Sequence, residues 1–175
     1  MKKNRAGNVK TGALFLSGIA ALVLQIPPAA ADYGIGVAHE GNGSTVMVPI
    51  RTGSLLIEPE IQFSNQSQAG FHSRSVSPGV GVYLRKDLGS LFESYMGGRF
   101  VYSTNKFEFT GVDAKTTTYT IAPTFGIQHF FSKQFSLGLD ASLQYRSGKQ
   151  QQSGQPDSNF HDVSTTTRVL LRAFF

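Results

Sequence analysis

The chain has 175 residues, of which 16 are Lys or Arg and 11 are Asp or Glu, and it contains no cysteine. The absence of cysteine excludes a disulfide framework, a thiolate nucleophile and a cysteine-ligated zinc site. Four of the basic residues and none of the acids lie in the first 31 positions, so the rest of the chain is almost neutral and lacks the basic footprint of a nucleic-acid-binding domain.

The first 31 residues have the composition of a cleavable secretory signal sequence. Basic side chains come first, an apolar run follows at 13–24, and small residues after Pro27 and Pro28 end at Ala31. The apolar run is too short for a membrane-anchoring helix, which needs about 20 residues. We therefore expect a signal peptide at 1–31, cleaved after Ala31, and a single domain at 32–175.

Apolar and polar side chains alternate along eight stretches of the mature chain, and a period of two is typical of strands with one apolar face. The predicted strands are 33–39, 45–51, 55–64, 75–85, 91–103, 118–131, 135–146 and 162–175. Prolines at 49, 59, 78 and 123 each remove a donor from the ladder. We expect local bulges near these prolines.

Short and long connections alternate between these strands. The short ones are turns at 52–54, 86–90 and 132–134, and the long ones are polar loops at 65–74, 104–117 and 147–161. Bacterial membrane barrels have an even number of strands, short periplasmic turns and longer outer loops. The sequence therefore predicts an all-β fold, an eight-stranded antiparallel up-and-down transmembrane barrel with both chain ends on the periplasmic side.

The stretch 135–146 carries the clearest membrane signal. Its apolar row begins at Phe135 and ends at Tyr145, with an aromatic side chain at each end. The row is as long as the roughly 9–11 residues that a tilted strand needs to cross a bilayer. Other aromatic residues also fall at strand ends, where interfacial girdles lie. They are Phe63, Phe92, Tyr102, Tyr119, Phe131 and Phe175.

Two closed barrels fit this alternation, and they differ in which face points inward. A secreted lipocalin-like carrier would wrap its apolar rows around a ligand, whereas a membrane barrel turns its polar rows inward. We favour the membrane barrel, because an arginine facing lipid at mid-depth costs about 2–4 kcal/mol. The charged network predicted for its lumen consists of Arg51, Glu58, Glu60, Glu93, Arg99, Asp140, Arg146, Arg168 and Arg172.

Enclosed charges have to pair, because an uncompensated buried charge is heavily penalised. If the last two strands are antiparallel neighbours with their tops near Arg146 and Val163, Asp140 lies level with Arg168. We therefore expect these two side chains to pair, with Glu58, Glu60 and Arg99 within reach across a narrow interior.

The chain ends on Arg172, Ala173, Phe174 and Phe175, which places an aromatic residue at the carboxyl terminus. Together with the strand number and the loop asymmetry, this ending resembles the small eight-stranded outer-membrane β-barrels of Gram-negative bacteria (OmpA/OmpX type). The runs at 48–64 and 121–140 also look like porin-family barrels. The resemblance implies a location in the outer membrane, contact with its lipid and lipopolysaccharide, and delivery by periplasmic chaperones. It also implies that Phe175 is an assembly signal read by the barrel-assembly machinery.

Four functions remain open at this point. We favour a sealed barrel with a structural or surface-interaction role. The alternatives are a small gated pore for solutes, a lipid-modifying enzyme and the lipocalin-like carrier. The parts of an enzyme would be His161, Asp162 and Ser164 with His72, but residues three apart on a strand point to opposite faces. The surface-loop candidates for binding lipopolysaccharide or a host surface are His72, Arg74, Lys106, Phe109, Lys115 and Phe160. We expect no catalysis, no cofactor, no metal site and a monomer.

Overall fold

The computed structural model describes residues 31–175 except 42, 69–70, 110–111 and 153–154, with the backbone alone at 65–68, 71–74, 106–109 and 112–113. Residues 1–30 of the predicted signal sequence at 1–31 lie outside the described residues, and Ala31 directly precedes the first strand. The described part contains no helix that is long and apolar enough to cross a membrane.

Every regular element in this part of the chain is a β-strand, and each strand runs antiparallel to its neighbours. The strands are β1 (Asp32–Glu40), β2 (Gly43–Met47), β3 (Ile50–Thr52), β4 (Leu55–Gln68), β5 (Phe71–Asp87), β6 (Phe92–Phe109), β7 (Val112–Phe130), β8 (Phe135–Gln152) and β9 (Ser158–Phe174). Pairing of β9 with β1 closes the sheet into a barrel.

Strands β2 and β3 together form one wall element. Both pair with β1 and with β4 in a single continuous register, and only Val48 and Pro49 interrupt them. The amide of Val48 still donates to the carbonyl of Pro59 at 2.9 Å, whereas Pro49 has no amide hydrogen to donate. The barrel therefore has eight wall elements, which confirms the predicted fold.

The bulges predicted at the prolines are wrong. The β5–β6 register is the same before and after Pro78, from Val76 opposite Thr104 to Gly79 opposite Val101. The β7–β8 register is equally constant across Pro123. Each proline breaks a rung of the ladder without an extra residue, because an insertion would turn every later side chain to the opposite face.

The apolar rows point outward and the polar rows inward. On β8, Leu137, Leu139 and Leu143 are 43–52 % exposed, whereas Asp140 and Ser142 are at most 4 % exposed. The aromatic residues at the strand ends lie on the same outward face. The lipocalin-like alternative is therefore wrong, since it requires the leucines to line the interior.

The long polar loops predicted at 65–74, 104–117 and 147–161 are largely strand. The ladder continues to the pairs Gln68–Phe71 and Phe109–Val112, and β8 extends to Gln152. Strands of up to 19 residues exceed the roughly 9–11 that cross a bilayer. Above the hydrocarbon both faces meet water, so hydrogen bonding continues after the apolar alternation has ended.

This correction moves all six surface-loop candidates into strands. His72, Arg74, Lys106 and Phe109 occupy ladder positions on β5 and β6, and their side chains lie outside the described residues. Lys115 lies on β7, and Phe160 lies on β9.

The outer rim of the barrel is uneven. Strand β1 pairs with β9 only between Gly34–Phe174 and His39–Val169, and β2 pairs with β4 only as far as Gly43–Ser64. Residues 158–168 of β9 therefore continue beyond the last rung with β1, and among the described strands only β8 pairs with them. Strands β4 to β9 rise as an open sheet above the short β1–β2 hairpin.

The adjacent glycines Gly97 and Gly98 on β6 differ in the free space around the position that a Cβ atom would occupy. A Cβ at Gly97 would lie 2.0 Å from the carbonyl oxygen of Val82 and 2.7 Å from the Cα of Tyr83, whereas a Cβ at Gly98 would meet nothing within 4 Å. The contacts at Gly97 are with backbone, which cannot rotate away. Gly97 therefore permits the close approach of β5 and β6.

We expect Gly97→Ala to lower the thermal unfolding midpoint and the fraction of protein that shows the heat-modifiable gel shift of a folded barrel. The matched control is Gly98→Ala, which should behave as the wild type because its methyl group enters open space. Equal behaviour of the two variants would contradict the described β5–β6 spacing.

We expect Leu139→Arg to cost about 2–4 kcal/mol or to block insertion, because the side chain faces lipid near the middle of the apolar row 135–145. The matched control is Leu88→Arg in the turn after β5, where the same change costs about 0–1 kcal/mol near the membrane surface. Urea titration of protein inserted in vesicles measures both. Comparable losses at the two sites would refute the assigned membrane position.

Candidate functional site

The periplasmic end of the lumen is held by one carboxylate that two arginines share. Arg51 Nη2 lies 2.9 Å and Arg85 Nη1 2.5 Å from Glu93 Oε2. The guanidinium of Arg51 also lies over the rings of Phe130 and Phe174, 5.0 and 4.8 Å from their centroids. These cation–π contacts stabilise the Arg51 guanidinium in addition to its ion pair with Glu93. The penultimate residue of the chain thus packs inside the barrel.

Above this cluster, two N–H groups of the Arg172 guanidinium donate to the two carboxylate oxygens of Glu58. Nε lies 2.7 Å from Oε1 and Nη2 lies 3.1 Å from Oε2, and both side chains are fully buried. Arg172 Nη1 donates to Gln128 Oε1 at 2.9 Å, and Gln128 Nε2 donates to Glu93 Oε1 at 2.5 Å. Gln128 therefore joins the two clusters into one network.

The next layer contains the pair expected from the strand register. Asp140 lies directly opposite Arg168, whose Nε and Nη2 donate to its carboxylate at 3.1 and 2.7 Å. Arg168 Nη1 donates to Glu60 Oε2 at 3.1 Å. All three side chains are inaccessible to solvent.

The outermost layer of the network is held more loosely. Arg99 Nη1 and Nη2 lie 3.4 and 3.3 Å from Glu40 Oε2, and Nη1 lies 3.9 Å from Glu60 Oε1. Gln144 Nε2 donates to the other oxygen of Glu40 at 2.9 Å. Glu40 was not predicted as a lumen residue, because the run 40–43 has the composition of a turn. Its inward position in the alternation of β1 was the available signal.

Across these layers of the described lumen, five arginines meet five carboxylates, so the charges cancel. The arginines are Arg51, Arg85, Arg99, Arg168 and Arg172, and the carboxylates are Glu40, Glu58, Glu60, Glu93 and Asp140. Seven of the ten are buried, whereas Arg51, Arg85 and Glu40 are partly exposed, and cancellation removes most of the penalty for enclosing them.

Two buried tyrosines, Tyr83 and Tyr95, fill the space between the ion pairs, and neither belongs to the lumen network predicted from the sequence. Tyr95 lies opposite Gly126, where a Cβ would come within 2.2 Å of the tyrosine ring, and Tyr83 packs over Gly81 in a similar way. The two rings meet edge to face at 5.3 Å between centroids. An inward tyrosine opposite an inward glycine was the signal that could have found Tyr95.

Cavities enter the lumen from both ends and stop at the ion pairs. The inner one is about 520 Å³ and reaches Arg51 and Glu93, and the outer one is about 590 Å³ and reaches Arg99 and Glu40. The two share no lining residue, and Arg168 and the groups bound to it line neither. The network therefore forms a partition. We call the larger cavity the outer well.

Serine and threonine side chains from five wall elements line the outer well, together with Gln62, Asn105 and Gln144. Arg146 and Asp162 face each other across β8 and β9 at its mouth, and Nε of Arg146 donates to Asp162 at 3.0 Å. Their side chains are 43 % and 45 % exposed. Arg146 therefore lines the lumen at its mouth, where it pairs with Asp162 apart from the buried ion pairs.

Phe160 is misplaced by the sequence reading. It points into the outer well from β9 and packs on Gly148, the residue directly opposite on β8, where a Cβ would lie 2.5 Å from its ring. The missing side chain at Gly148 provides the space for the ring. Lys115 lies half-buried on β7.

Of the four enzyme candidates, the side chains of His161, Asp162 and Ser164 are described, and these three do not form a catalytic arrangement. His161 is exposed on the outward face, where its Nδ1 lies 3.0 Å from the hydroxyl of Tyr145, whereas Asp162 lines the outer well. Ser164 Oγ instead contacts Arg146 Nη2 at 3.3 Å. Within the described residues, no group of three or more His, Cys, Asp or Glu could hold a metal ion.

Outside the membrane, an exposed ion pair joins the ends of β8 and β9. Lys149 Nζ lies 2.7 Å from Asp157 Oδ2, and Gln151 donates to the same oxygen. These hydrogen bonds from Lys149 and Gln151 lower the pKa of Asp157, so its carboxylate stays charged at neutral pH.

No protein-family model matches the chain, and no curated protein sequence matches it significantly. Solved structures do match its fold. The crystal structure of Neisserial surface protein A (NspA) has a TM-score of 0.52 and 16 % identity over 83 % of this chain and 94 % of that chain. A major outer membrane protein from Thermus thermophilus gives 0.51 and 11 % identity over 83 % and 100 %.

The translocator domain of the autotransporter NalP from Neisseria meningitidis has a TM-score of 0.50 and 13 % identity, over 94 % of this chain and 70 % of that chain. At these identities the similarity concerns the fold. The closed barrel, its apolar outer surface and these structural neighbours agree, and the chain has the fold of a small eight-stranded outer-membrane β-barrel.

Proposed function

We propose that this barrel is a sealed, non-catalytic outer-membrane protein that acts through its exposed outer end rather than by passing solutes. The observation that carries this proposal is the partition formed by Arg168 with Asp140 and Glu60 and by Arg172 with Glu58. An eight-stranded barrel leaves an interior just wide enough for side chains to fill.

Opening this partition is energetically costly. Arg168 would have to break three hydrogen bonds to Asp140 and Glu60, and Arg172 two hydrogen bonds to Glu58, in a site without solvent access. Removing one partner of such a buried pair costs about 3–5 kcal/mol. A gated pore would therefore need an opening stimulus of that size, which favours the sealed barrel over the pore.

The outer end offers the surface for interaction. Strands β4 to β9 continue beyond the β1–β2 hairpin, and residues 158–168 of β9 have β8 on one side only among the described strands. A free strand edge above the membrane presents backbone donors and acceptors to an external partner. This geometry supports a surface-interaction role with lipopolysaccharide or a host surface, in a barrel that works as a monomer.

We expect the wild-type barrel to give no steady single-channel steps in a planar lipid bilayer. A variant with Arg168→Ala, Asp140→Ala, Arg172→Ala and Glu58→Ala removes two complete ion pairs and leaves the net charge unchanged. This variant should conduct, since the three arginines and three carboxylates that remain in the described lumen still cancel, with Glu60 left to Arg99 at 3.9 Å.

The matched control is the double variant Arg146→Ala and Asp162→Ala, which removes a complete pair at the mouth of the outer well and should remain closed. The heat-modifiable gel shift checks that every variant is folded. Steady steps from the wild type would refute the seal, and a folded but silent quadruple variant would show that other groups carry it.

We also propose that the last two residues have separate roles. Phe175 is 83 % exposed, and its amide donates to Tyr33 O at 2.8 Å, whereas the side chain of Phe174 is buried against Arg51 and Phe130. An exposed terminal ring suits recognition by the barrel-assembly machinery after delivery by periplasmic chaperones. The ring of Phe174 instead closes the periplasmic end.

We expect Phe175→Ala to slow assembly in cells while leaving the stability of the folded barrel nearly unchanged. Phe174→Ala should lower that stability by about 3–5 kcal/mol, the usual cost of emptying a buried phenylalanine site. Pulse-chase analysis of the gel shift measures assembly, and urea titration of refolded protein measures stability. If both variants changed assembly and stability to the same extent, the two residues would not have separate roles.

A further inference from the structure

The outer well has the size and depth of a small-ligand site. Its volume of about 590 Å³ falls within the roughly 300–1,000 Å³ of known ligand pockets. Its floor is Arg99 with Glu40, and its mouth carries Arg146 with Asp162. If the lumen is sealed as proposed above, the outer well is a blind pocket that is reached from outside the cell.

The charges of the outer well are already paired. Arg146 contacts Asp162 through Nε and Nη2, and Arg99 is shared between Glu40 and Glu60. A charged ligand would have to separate one of these pairs to gain a partner. A neutral ligand can hydrogen-bond to their free lone pairs and N–H groups while both pairs stay intact.

The rest of the lining presents donors and acceptors together. Ser64 and Ser75 hydroxyls lie 2.6 Å apart, and Ser77 donates to Ser103 at 2.8 Å. A hydroxyl has one donor and two acceptor lone pairs, so a side chain that donates to its neighbour can still accept from a ligand. Such a lining matches a ligand whose own polar groups are hydroxyls.

An aromatic ring completes this set of groups. Phe160 lines the wall of the outer well. Its ring packs against Gly148, where a side chain would occupy the same space. A ring held in this way offers an apolar surface beside the Arg146–Asp162 pair. The C–H face of a pyranose ring is the complementary surface on a polyhydroxylated ligand.

We propose that the outer well binds a neutral saccharide of one or two rings. Asp162 accepts from sugar hydroxyls, Arg146 and Gln144 donate to them, and Phe160 packs against the sugar ring. The proposal extends the proposed surface role by naming a site and a ligand class, and it uses the seal only to make the well blind.

The test is a chemical-shift titration of the isotope-labelled barrel in a zwitterionic detergent without a sugar headgroup. Glucose and maltose are the neutral probes, and glucuronate is the charged comparator. We expect saturable shifts of backbone amides around the well, such as Ser103 and Gly148, and none at Gly53 or Gly89 in the turns at the opposite end. No saturable shift, or tighter binding of glucuronate than of glucose, would overturn the proposal.

Variants sharpen the result. Asp162→Asn should weaken the neutral sugars by about tenfold, because a hydrogen bond to a charged group is lost, and should favour glucuronate, because Arg146 loses its counter-charge. The matched control is Asp157→Asn, which breaks the exposed Lys149 pair outside the well and should change nothing. Equal weakening by both variants would show that sugars do not bind in the well.

The proposed seal and the proposed site can fail independently. Steady conductance by the wild type together with a saturable titration at the well would refute the seal and uphold the saccharide site. If the wild type does not conduct and neither neutral sugar shifts the amides around the well, the saccharide site is refuted and the seal is upheld.

Discussion

Charge compensation inside a narrow lumen is the constraint on which this structure depends. A wall that presents apolar side chains to lipid sends every second side chain inward, and eight strands leave space for little else. Arginines and carboxylates placed there have no bulk water to screen them, so each needs a partner. The network from Glu93 through Gln128 and Arg172 to Arg168 and Arg99 meets this need.

The backbone imposes a second constraint, because lipid cannot satisfy its donors and acceptors and the ladder has to close. Each wall element must therefore keep its register over its whole length. Pro49, Pro78 and Pro123 break single rungs without shifting the strands, and Gly97 lets β6 approach Val82 closely. Irregular residues are tolerated in this barrel wherever they leave the inward and outward alternation unchanged.

These constraints explain which features the sequence could predict. The strand number, the two faces and the Asp140–Arg168 pair follow from a period of two and from neighbouring strands, which are local properties. The pairs of Arg172 with Glu58 and of Arg168 with Glu60 join residues 114 and 108 positions apart. Such contacts depend on the curvature and tilt of the closed barrel, which no short pattern encodes.

The outer ends of the strands escaped prediction for a different reason. Above the hydrocarbon, hydrogen bonding continues but lipid no longer selects for apolar side chains, so the pattern disappears while the strand remains. Phe160 and Lys115 looked like loop residues for this reason. Glu40 was not predicted as a lumen residue because the run 40–43 has the composition of a turn. Its position in the alternation of β1 nevertheless places its side chain on the inward face.

The same loss of selection separates the barrel into two parts with different chemistry. Within the membrane, the charged side chains at the centre of the lumen are inaccessible to solvent and closely paired, and any unmatched charge there is costly. Above it, the Arg146–Asp162 pair and the surrounding hydroxyls are reached by water, where a surface ion pair is worth only about 0–1 kcal/mol. Residues that contribute so little to stability are free to be chosen for recognition, which is why the proposed saccharide site lies in the outer well and not among the buried ion pairs.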